Sequence, residues 1–179
     1  MVYVIGCNHG HQREQACYRG TEIAEIEQRQ KEAFADFLFR FLGSKPIGCI
    51  AEEIEEGART FARTIAEGRG IQYANVDMHA ADRERNQFPK EYGTARRDLN
   101  DRREPWDGMR ERYMVQRLVD AGRPPTDTLL LCGFIHCAPI AALLRARGVD
   151  ATIVDLRGED WFSLDWAAGY LETDRFEGF

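Results

Sequence analysis

The sequence predicts an α/β protein with an open, mostly parallel sheet of five strands and helices on both faces. Five short runs are apolar throughout rather than alternating with polar residues, which is typical of strands covered on both faces of a parallel sheet. Segments with apolar residues at helical spacing separate these runs, so strands and helices alternate along the chain. Because parallel crossovers are right-handed, few strand orders remain, and we predict the Rossmann-like order 3-2-1-4-5.

Each predicted element has a local reason in the sequence. Thr21 can cap a long helix that Gly43 ends, and two glycines stop a second helix that covers residues 58–66. Pro105 suits the first turn of a third helix, and a fourth helix covers residues 140–147. The five predicted strands are residues 2–5, 47–51, 71–76, 128–132 and 151–156.

The length of 179 residues predicts a single α/β domain over residues 1–179. Two parts of the chain lack a regular pattern. Residues 77–104 are rich in Arg and Asp and are predicted to be an irregular insert or a lid. Residues 157–179 form an acidic, aromatic tail, which we expect to pack over the sheet edge or to bind a second subunit in a homodimer.

Composition and charge exclude several classes of partner. The net charge of −6 opposes general binding to nucleic acid or to anionic membranes. No apolar run reaches the roughly 18–20 residues that span a bilayer, and the first residues lack the basic region of a signal peptide. We therefore expect a cytoplasmic protein whose five cysteines are thiols, with neither nucleic acid nor a membrane as partner.

Polar side chains follow each predicted strand, and all four histidines of the chain are among them. In open α/β sheets, ligands bind outside the carboxyl ends of the strands, so this is the edge where a site is expected. The residues are His9 and His11 after the first strand, Glu52 and Glu53 after the second, Asp77 and His79 after the third, His136 after the fourth and Asp155 at the end of the fifth.

Two of these strand ends share the form Gly-x-x-His, at Gly6–His9 and Gly133–His136. A glycine at a strand end permits a sharp turn, and the loop then carries an imidazole over the sheet edge. The motifs GCNH (6–9), IAEE (50–53), RERYM (110–114) and GFIH (133–136) occur in the order of the superfamily that unites erythromycin esterases, TraB/Tiki proteins and ChaN-like haem-binding proteins. Over residues 2–155 the chain resembles a short member of that superfamily.

The resemblance implies that His9, one of Glu52 or Glu53, Arg110 and His136 form the site. The superfamily includes hydrolases, so the resemblance also implies hydrolysis of a small-molecule substrate. The chain lacks the large helical additions of the esterases, which argues against macrolide-sized substrates.

These residue types can support hydrolysis with or without a metal. Histidines and carboxylates can hold Zn²⁺, Mn²⁺ or Fe²⁺, which would lower the pKa of a bound water. Without a metal, His9 could take a proton from water while Glu52 or Glu53 orients it, and His136 and Arg110 could stabilise developing negative charge. The predicted metal ligands are His9, Glu53 and His136, with His11, Asp77 and His79 as further candidates.

Arg110 lies on the apolar stripe of the third predicted helix, so its charge is expected on the buried side. A buried arginine needs either a carboxylate or a bound anion as partner, and Glu52, Glu53 and Asp155 are the candidate carboxylates. Successive strand residues point to opposite faces, so Glu52 and Glu53 cannot both point to the same place. The sequence does not decide which of the two enters the site.

Two functions follow as hypotheses. The first is a small cytoplasmic hydrolase, metal-dependent or acting by acid–base chemistry, for an ester, an amide or a phosphoester. The alternative is a non-catalytic module that binds haem or another metal compound on the same scaffold.

Overall fold

A computed structural model describes residues 1–7, 12–14, 21–88, 106–120, 127–156 and 158–159. Strands and helices alternate along the described chain, except that two helices lie between the third and fourth strands. The strands are β1 (Val2–Cys7), β2 (Ile47–Glu52), β3 (Gln72–Asn75), β4 (Asp127–Gly133) and β5 (Ala151–Ile153). The helices are α1 (Thr21–Ser44), α2 (Phe61–Arg69), α3 (Ala80–Arg85), α4 (Asp107–Asp120) and α5 (Cys137–Ala146), and a 3₁₀ turn (Phe134–His136) joins β4 to α5.

The five strands form one sheet in which every neighbouring pair is parallel. The predicted α/β class is therefore confirmed. The predicted order 3-2-1-4-5 is wrong in one respect, because the order is 3-2-4-1-5 and β1 and β4 exchange places. A central strand is covered by neighbours on both edges and by helices on both faces. The run Leu129–Leu130–Leu131 in β4 has no exposed surface, so this strongly apolar run suits the central position.

The helices pack on the two faces of the sheet and form two apolar cores. On one face, Phe34 and Leu38 of α1 and Ala62 and Ala66 of α2 belong to the same apolar core as Ile5 of β1. The other core is formed by residues of α4, α5 and the sheet, among them Met114, Val115, Leu118, Ile140, Ala141, Leu144, Val4 and Leu130. Alternate residues of each strand point to the two cores, so the face that a side chain occupies can be read from its position in the strand.

Close contact between β1 and the β4–α5 connection requires a glycine at position 6. A Cβ atom there would lie 2.6 Å from Cδ1 of Phe134 and 2.7 Å from Sγ of Cys137. Such distances are below ordinary van der Waals contact, so a side chain at this position would displace the 3₁₀ turn. Gly6 therefore allows the turn that ends in His136 to pack directly on β1.

The segment predicted to be irregular contains a short helix, α3, and residues 89–105 lie outside the described chain. Of the predicted tail, residues 157–179, the structure describes only residues 158–159. Within the part of the chain that the structure describes, no helix is both long and apolar enough to cross a membrane.

Candidate functional site

The carboxyl ends of all five strands lie at one edge of the sheet, because the strands are parallel. At this edge the chain leaves β2 through Glu52 and Glu53 and leaves β4 through Gly133 and the turn that contains His136. The ladder continues past the end of β2, since the Glu53 amide donates to the Leu131 carbonyl over 2.8 Å. The positions of both glutamates are therefore fixed by the sheet.

Glu52 and Glu53 have no exposed surface, and they point to opposite faces. Glu52 accepts hydrogen bonds from residues on the α2 side, at Thr60 and Tyr73. Glu53 contacts Arg110 of α4 and His136 on the other side. The alternation expected from strand geometry thus places one carboxylate in each of two separate environments.

Arg110 joins two buried carboxylates on the α4 side. Its Nη2 lies 2.5 Å from Oε1 of Glu53 and 2.8 Å from Oδ1 of Asp77. Its Nε also donates to Oδ1 of Asp77 over 3.1 Å. Only 7 % of Arg110 is exposed, as its position on the apolar stripe predicts. Glu53 was one of the carboxylates predicted to pair with Arg110, and it does so. Asp77 is a second partner of Arg110, although the sequence predicted it only as a metal ligand.

Asp77 is further held by its own loop and by α3. Its Oδ1 accepts from the Met78 amide over 2.7 Å, and its Oδ2 accepts from Nη2 of Arg83 over 3.1 Å. The oxygens of Glu53 are similarly engaged, since Oε2 accepts from the Gly133 amide over 2.8 Å. Both carboxylates therefore accept hydrogen bonds from an arginine side chain and from a backbone amide.

His136 lies between two carboxylates and is only 3 % exposed. Its Nδ1 is 2.9 Å from Oε1 of Glu111, and its Nε2 is 3.5 Å from Oε1 of Glu53. Nδ1 and the Glu111 carboxyl group share a hydrogen bond. Glu111 thereby fixes the orientation of the ring, and Nε2 is directed towards Glu53 and Arg110.

Glu52 has a different environment, without a positively charged partner among the described residues. Its Oε2 accepts two hydrogen bonds of 2.7 Å, from Oγ1 of Thr60 and from the hydroxyl of Tyr73. Its Oε1 is buried and has no hydrogen-bond partner in the described structure. Thr60 also caps α2, because its Oγ1 accepts from the Arg63 amide over 3.2 Å.

Burial is the main cause of the shifted pKa values in this region. Burial raises the pKa of Glu52 from its ordinary value near 4.5 to about 7, although the hydrogen bonds from Thr60 and Tyr73 act in the opposite direction. Burial also raises the pKa of Tyr73, and the neighbouring charge of Glu52 adds to that increase. The pKa of the Cys7 thiol is raised by burial first and by Glu52 second. Glu52 thus lies close to the transition between its neutral and ionised forms at neutral pH.

The structure brings together four of the residues predicted for the site, namely Glu53, Asp77, Arg110 and His136. Glu52 lies next to them in the chain but on the opposite face of the sheet. His79 is not in this group, because its ring lies at the start of α3, where Nδ1 is 3.8 Å from Oε2 of Glu56. His9 and His11 lie outside the described residues.

The described residues do not form a metal site, and His9 and His11 of the predicted ligand set lie outside them. Among the described residues, no three His, Cys, Asp or Glu side chains are arranged to hold a metal ion. Glu53 and Asp77 are instead bound by Arg110, whose guanidinium takes the place that a cation would occupy between them.

Three residues that sequence reasoning did not single out complete the two environments, namely Glu111, Thr60 and Tyr73. A signal for Glu111 is present in the sequence, because it follows Arg110 on the same apolar stripe of α4, and two charges on a buried stripe require partners. Thr60 and Tyr73 carry no comparable signal. Their role depends on how the loop after β2 folds back onto β3.

No protein-family model, curated protein or solved structure matches this chain, so the resemblance to the erythromycin esterase, TraB/Tiki and ChaN-like superfamily stays a prediction.

Proposed function

We propose that this protein is a hydrolase that cleaves an ester, an amide or a phosphoester of a small molecule at the carboxyl edge of its sheet. The observation that carries the proposal is the buried series Glu111–His136–Glu53–Arg110, in which His136 lies between two carboxylates. Burying four ionisable side chains costs free energy that apolar residues of the same size would not cost. Such clusters of buried ionisable groups concentrate at functional sites.

The arrangement supports acid–base chemistry at His136. Glu111 contacts Nδ1 and fixes the orientation of the ring, and Nε2 on the other side of the ring is the atom proposed for proton transfer. The positive charge of Arg110 lies on the same side, where it can offset negative charge that develops on a carbonyl or phosphoryl oxygen. His9, which follows β1 in the sequence, is proposed to complete the site.

The proposal is tested with chromogenic substrates that differ in the scissile bond. The purified protein is assayed against p-nitrophenyl acetate, p-nitrophenyl phosphate, bis-p-nitrophenyl phosphate and an aminoacyl p-nitroanilide. For a substrate that is hydrolysed, we expect His136→Gln to lower kcat by about 100-fold or more, since general acid–base catalysis contributes roughly 10²–10⁴-fold.

The matched control is His79→Gln, because His79 is a partly exposed histidine that contacts Glu56 rather than the buried series. Thermal unfolding of each variant shows whether it is folded. The proposal is wrong if no substrate in the panel is hydrolysed, or if folded His136→Gln hydrolyses its substrate as fast as the unchanged protein. A Soret band on titration with haemin, lost in His136→Gln, would favour a haem-binding role instead.

A further inference from the structure

The side-chain network around Glu53 reaches solvent at Arg83 of α3. Glu53 contacts Arg110, which in turn contacts Asp77. Asp77 then accepts a hydrogen bond from Nη2 of Arg83 over 3.1 Å. The side chains of the first three residues are at most 9 % exposed, whereas that of Arg83 is 36 % exposed. Of these four residues, Arg83 is therefore the one that a molecule arriving from solvent meets first.

The guanidinium of Arg83 uses only part of its hydrogen-bonding capacity. Its Nε donates to the Met78 carbonyl over 2.9 Å, and its Nη2 donates to Oδ2 of Asp77. A guanidinium has five N–H donors, and these contacts use one hydrogen of Nε and one of Nη2. The other three hydrogens, two on Nη1 and one on Nη2, have no acceptor within the described parts of the chain.

We propose that Nη1 and Nη2 of Arg83 bind an oxyanion of the substrate, and that the substrate is therefore an anionic phosphoester. Two oxygens of a phosphoryl group match the donor spacing of a guanidinium, and such charge-assisted pairs are stronger than hydrogen bonds between neutral groups. This inference rests on the hydrolase proposal and narrows it, because an ester or an amide of a neutral molecule offers no such anion.

The charge of the chain favours a fixed donor of this kind. The net charge of −6 repels anions in general, so an anionic substrate needs a local positive charge. Arg110 is buried and lies between Glu53 and Asp77, so its charge is already shared by two carboxyl groups. Arg83 contacts one carboxyl group and keeps a guanidinium nitrogen, Nη1, for a further acceptor.

Arg83 is also held in one orientation before any ligand binds. A flexible arginine side chain loses conformational freedom on binding, and this loss opposes binding. In Arg83 the contacts with Met78 and Asp77 have already fixed the guanidinium. Asp77 is fixed in turn, because its Oδ1 accepts from the Met78 amide over 2.7 Å and from Arg110. An anion at Arg83 would therefore have a defined position relative to the buried series.

Arg85 carries the same charge on the same helix but lacks these constraints. Its Nη1 lies 3.2 Å from Oδ1 of Asp82, three residues earlier on α3, and its side chain is 75 % exposed. Asp82 also accepts from the Tyr113 hydroxyl, so this pair lies apart from Asp77 and Arg110. Arg85 is therefore the matched control for Arg83, since its removal takes away one positive charge without touching the network.

Inorganic phosphate is the probe for the proposed contact, and isothermal titration calorimetry of the whole protein measures its Kd. We expect the unchanged protein to bind phosphate and Arg83→Gln to raise the Kd by about 10-fold or more, as for a lost hydrogen bond to a charged group. Arg85→Gln should change the Kd by less than about twofold. The inference is wrong if the unchanged protein does not bind phosphate, or if both folded variants lose binding equally.

Arg83→Lys keeps a positive charge beside Asp77, so it serves if Arg83→Gln does not fold. The lysine ammonium is a point charge without the planar pair of donors. The Kd for phosphate should therefore still rise several-fold in Arg83→Lys. Binding as tight as in the unchanged protein would show that the guanidinium donors of Arg83 do not hold the anion.

Hydrolysis of an anionic and a neutral ester separates a role in binding from a structural one. With p-nitrophenyl phosphate, we expect Arg83→Gln to raise KM by about 10-fold or more, and Arg85→Gln to leave it unchanged. With neutral p-nitrophenyl acetate, Arg83→Gln should leave KM and kcat unchanged. An equal loss of activity on both esters would mean that Arg83 only supports Asp77 and Arg110, and would overturn the inference.

The same measurements distinguish this inference from the hydrolase proposal. If phosphate binding depends on Arg83 but no ester or amide in the panel is hydrolysed, the hydrolase proposal fails and the anion site stands. If p-nitrophenyl acetate is hydrolysed with dependence on His136 but phosphate does not bind, the hydrolase proposal stands and the role of Arg83 is wrong.

Discussion

Glu52 and Glu53 are consecutive in the chain and equally buried, yet their carboxylates bind different kinds of donor on opposite faces of the sheet. Glu52 is held by two hydroxyl groups, and Glu53 by a guanidinium and a backbone amide. Because the strand alternates its side chains, the two consecutive carboxyl groups have different surroundings, and burial raises the pKa of Glu52 to about 7.

Replacing Glu52 with glutamine should change how stability depends on pH. The pKa of Glu52 rises from near 4.5 to about 7 in the folded protein, so the folded state binds more protons than the unfolded state between these values. The contribution of Glu52 to stability is therefore fully present below about pH 4.5 and is lost as pH rises through about 7. At 1.36 kcal/mol per pKa unit, the loss amounts to about 3 kcal/mol.

We therefore expect Glu52→Gln to have a flatter pH dependence of the free energy of unfolding than the unchanged protein, and to gain relative stability towards pH 8. Urea denaturation at several pH values between about 5 and 8 measures this. A difference between the two proteins that stays constant over this range would show that Glu52 does not titrate there.

Removing Arg110 should destabilise the fold strongly. Arg110→Met keeps the apolar stem but leaves Glu53 and Asp77 buried without the guanidinium that joins them. Breaking a buried ion pair on one side costs about 3–5 kcal/mol of unfolding free energy, measured by urea denaturation. Arg117→Met, at an exposed position of the same helix, is the control and should change the free energy by less than about 0.5 kcal/mol. Equal effects of the two substitutions would contradict a buried ion-pair role for Arg110.

A methyl group at position 6 should destabilise the protein through overpacking. In Gly6→Ala the Cβ atom would lie 2.6 Å from Phe134 and 2.7 Å from Cys137, so the 3₁₀ turn must move. Overpacking of this kind costs typically about 1–3 kcal/mol. The control Gly43→Ala adds the same group in α1, where nothing lies within 4 Å, and should be neutral or slightly stabilising. Thermal unfolding of both variants would refute the close approach if Gly6→Ala were as stable as Gly43→Ala.

The hydrogen bond between His136 and Glu111 should be visible by proton NMR. Because Nδ1 of His136 and Oε1 of Glu111 are 2.9 Å apart in a buried site, the hydrogen between them is protected from solvent and should give a resonance far downfield. We expect this resonance to be lost or to move upfield in Glu111→Gln and to remain in His79→Gln. If it persists unchanged in Glu111→Gln, Glu111 does not orient His136.

The strands and helices were predictable because their apolar patterns are local. The run TLLLC marks β4 and the stripe of α4 places Arg110 on its buried side, and neither conclusion needs the rest of the fold. The exchange of β1 and β4 was not predictable, because both are short apolar runs and their order depends on which packs best at the centre of the sheet.

The location of the site was predictable from the sequence, but several of its contacts were not. Glu53 and His136 follow strands, so their meeting at one edge follows from a parallel sheet. The contact between Glu111 and Nδ1 of His136 depends on the rotation of α4 about its axis. The two hydroxyl groups on Glu52 depend on the fold of the loop after β2. The pattern of residues determines neither.

The place of β1 between β4 and β5 has a consequence for folding during synthesis. Val2 pairs with Thr128 and with Ala151, so both strand partners of β1 come from the last third of the chain. Until residue 128 has left the ribosome, β1 therefore has no strand partner. By that point β2 and β3 can already pair with each other. Contacts so distant along the chain form slowly, so β1 stays without its strand partners until β4 emerges.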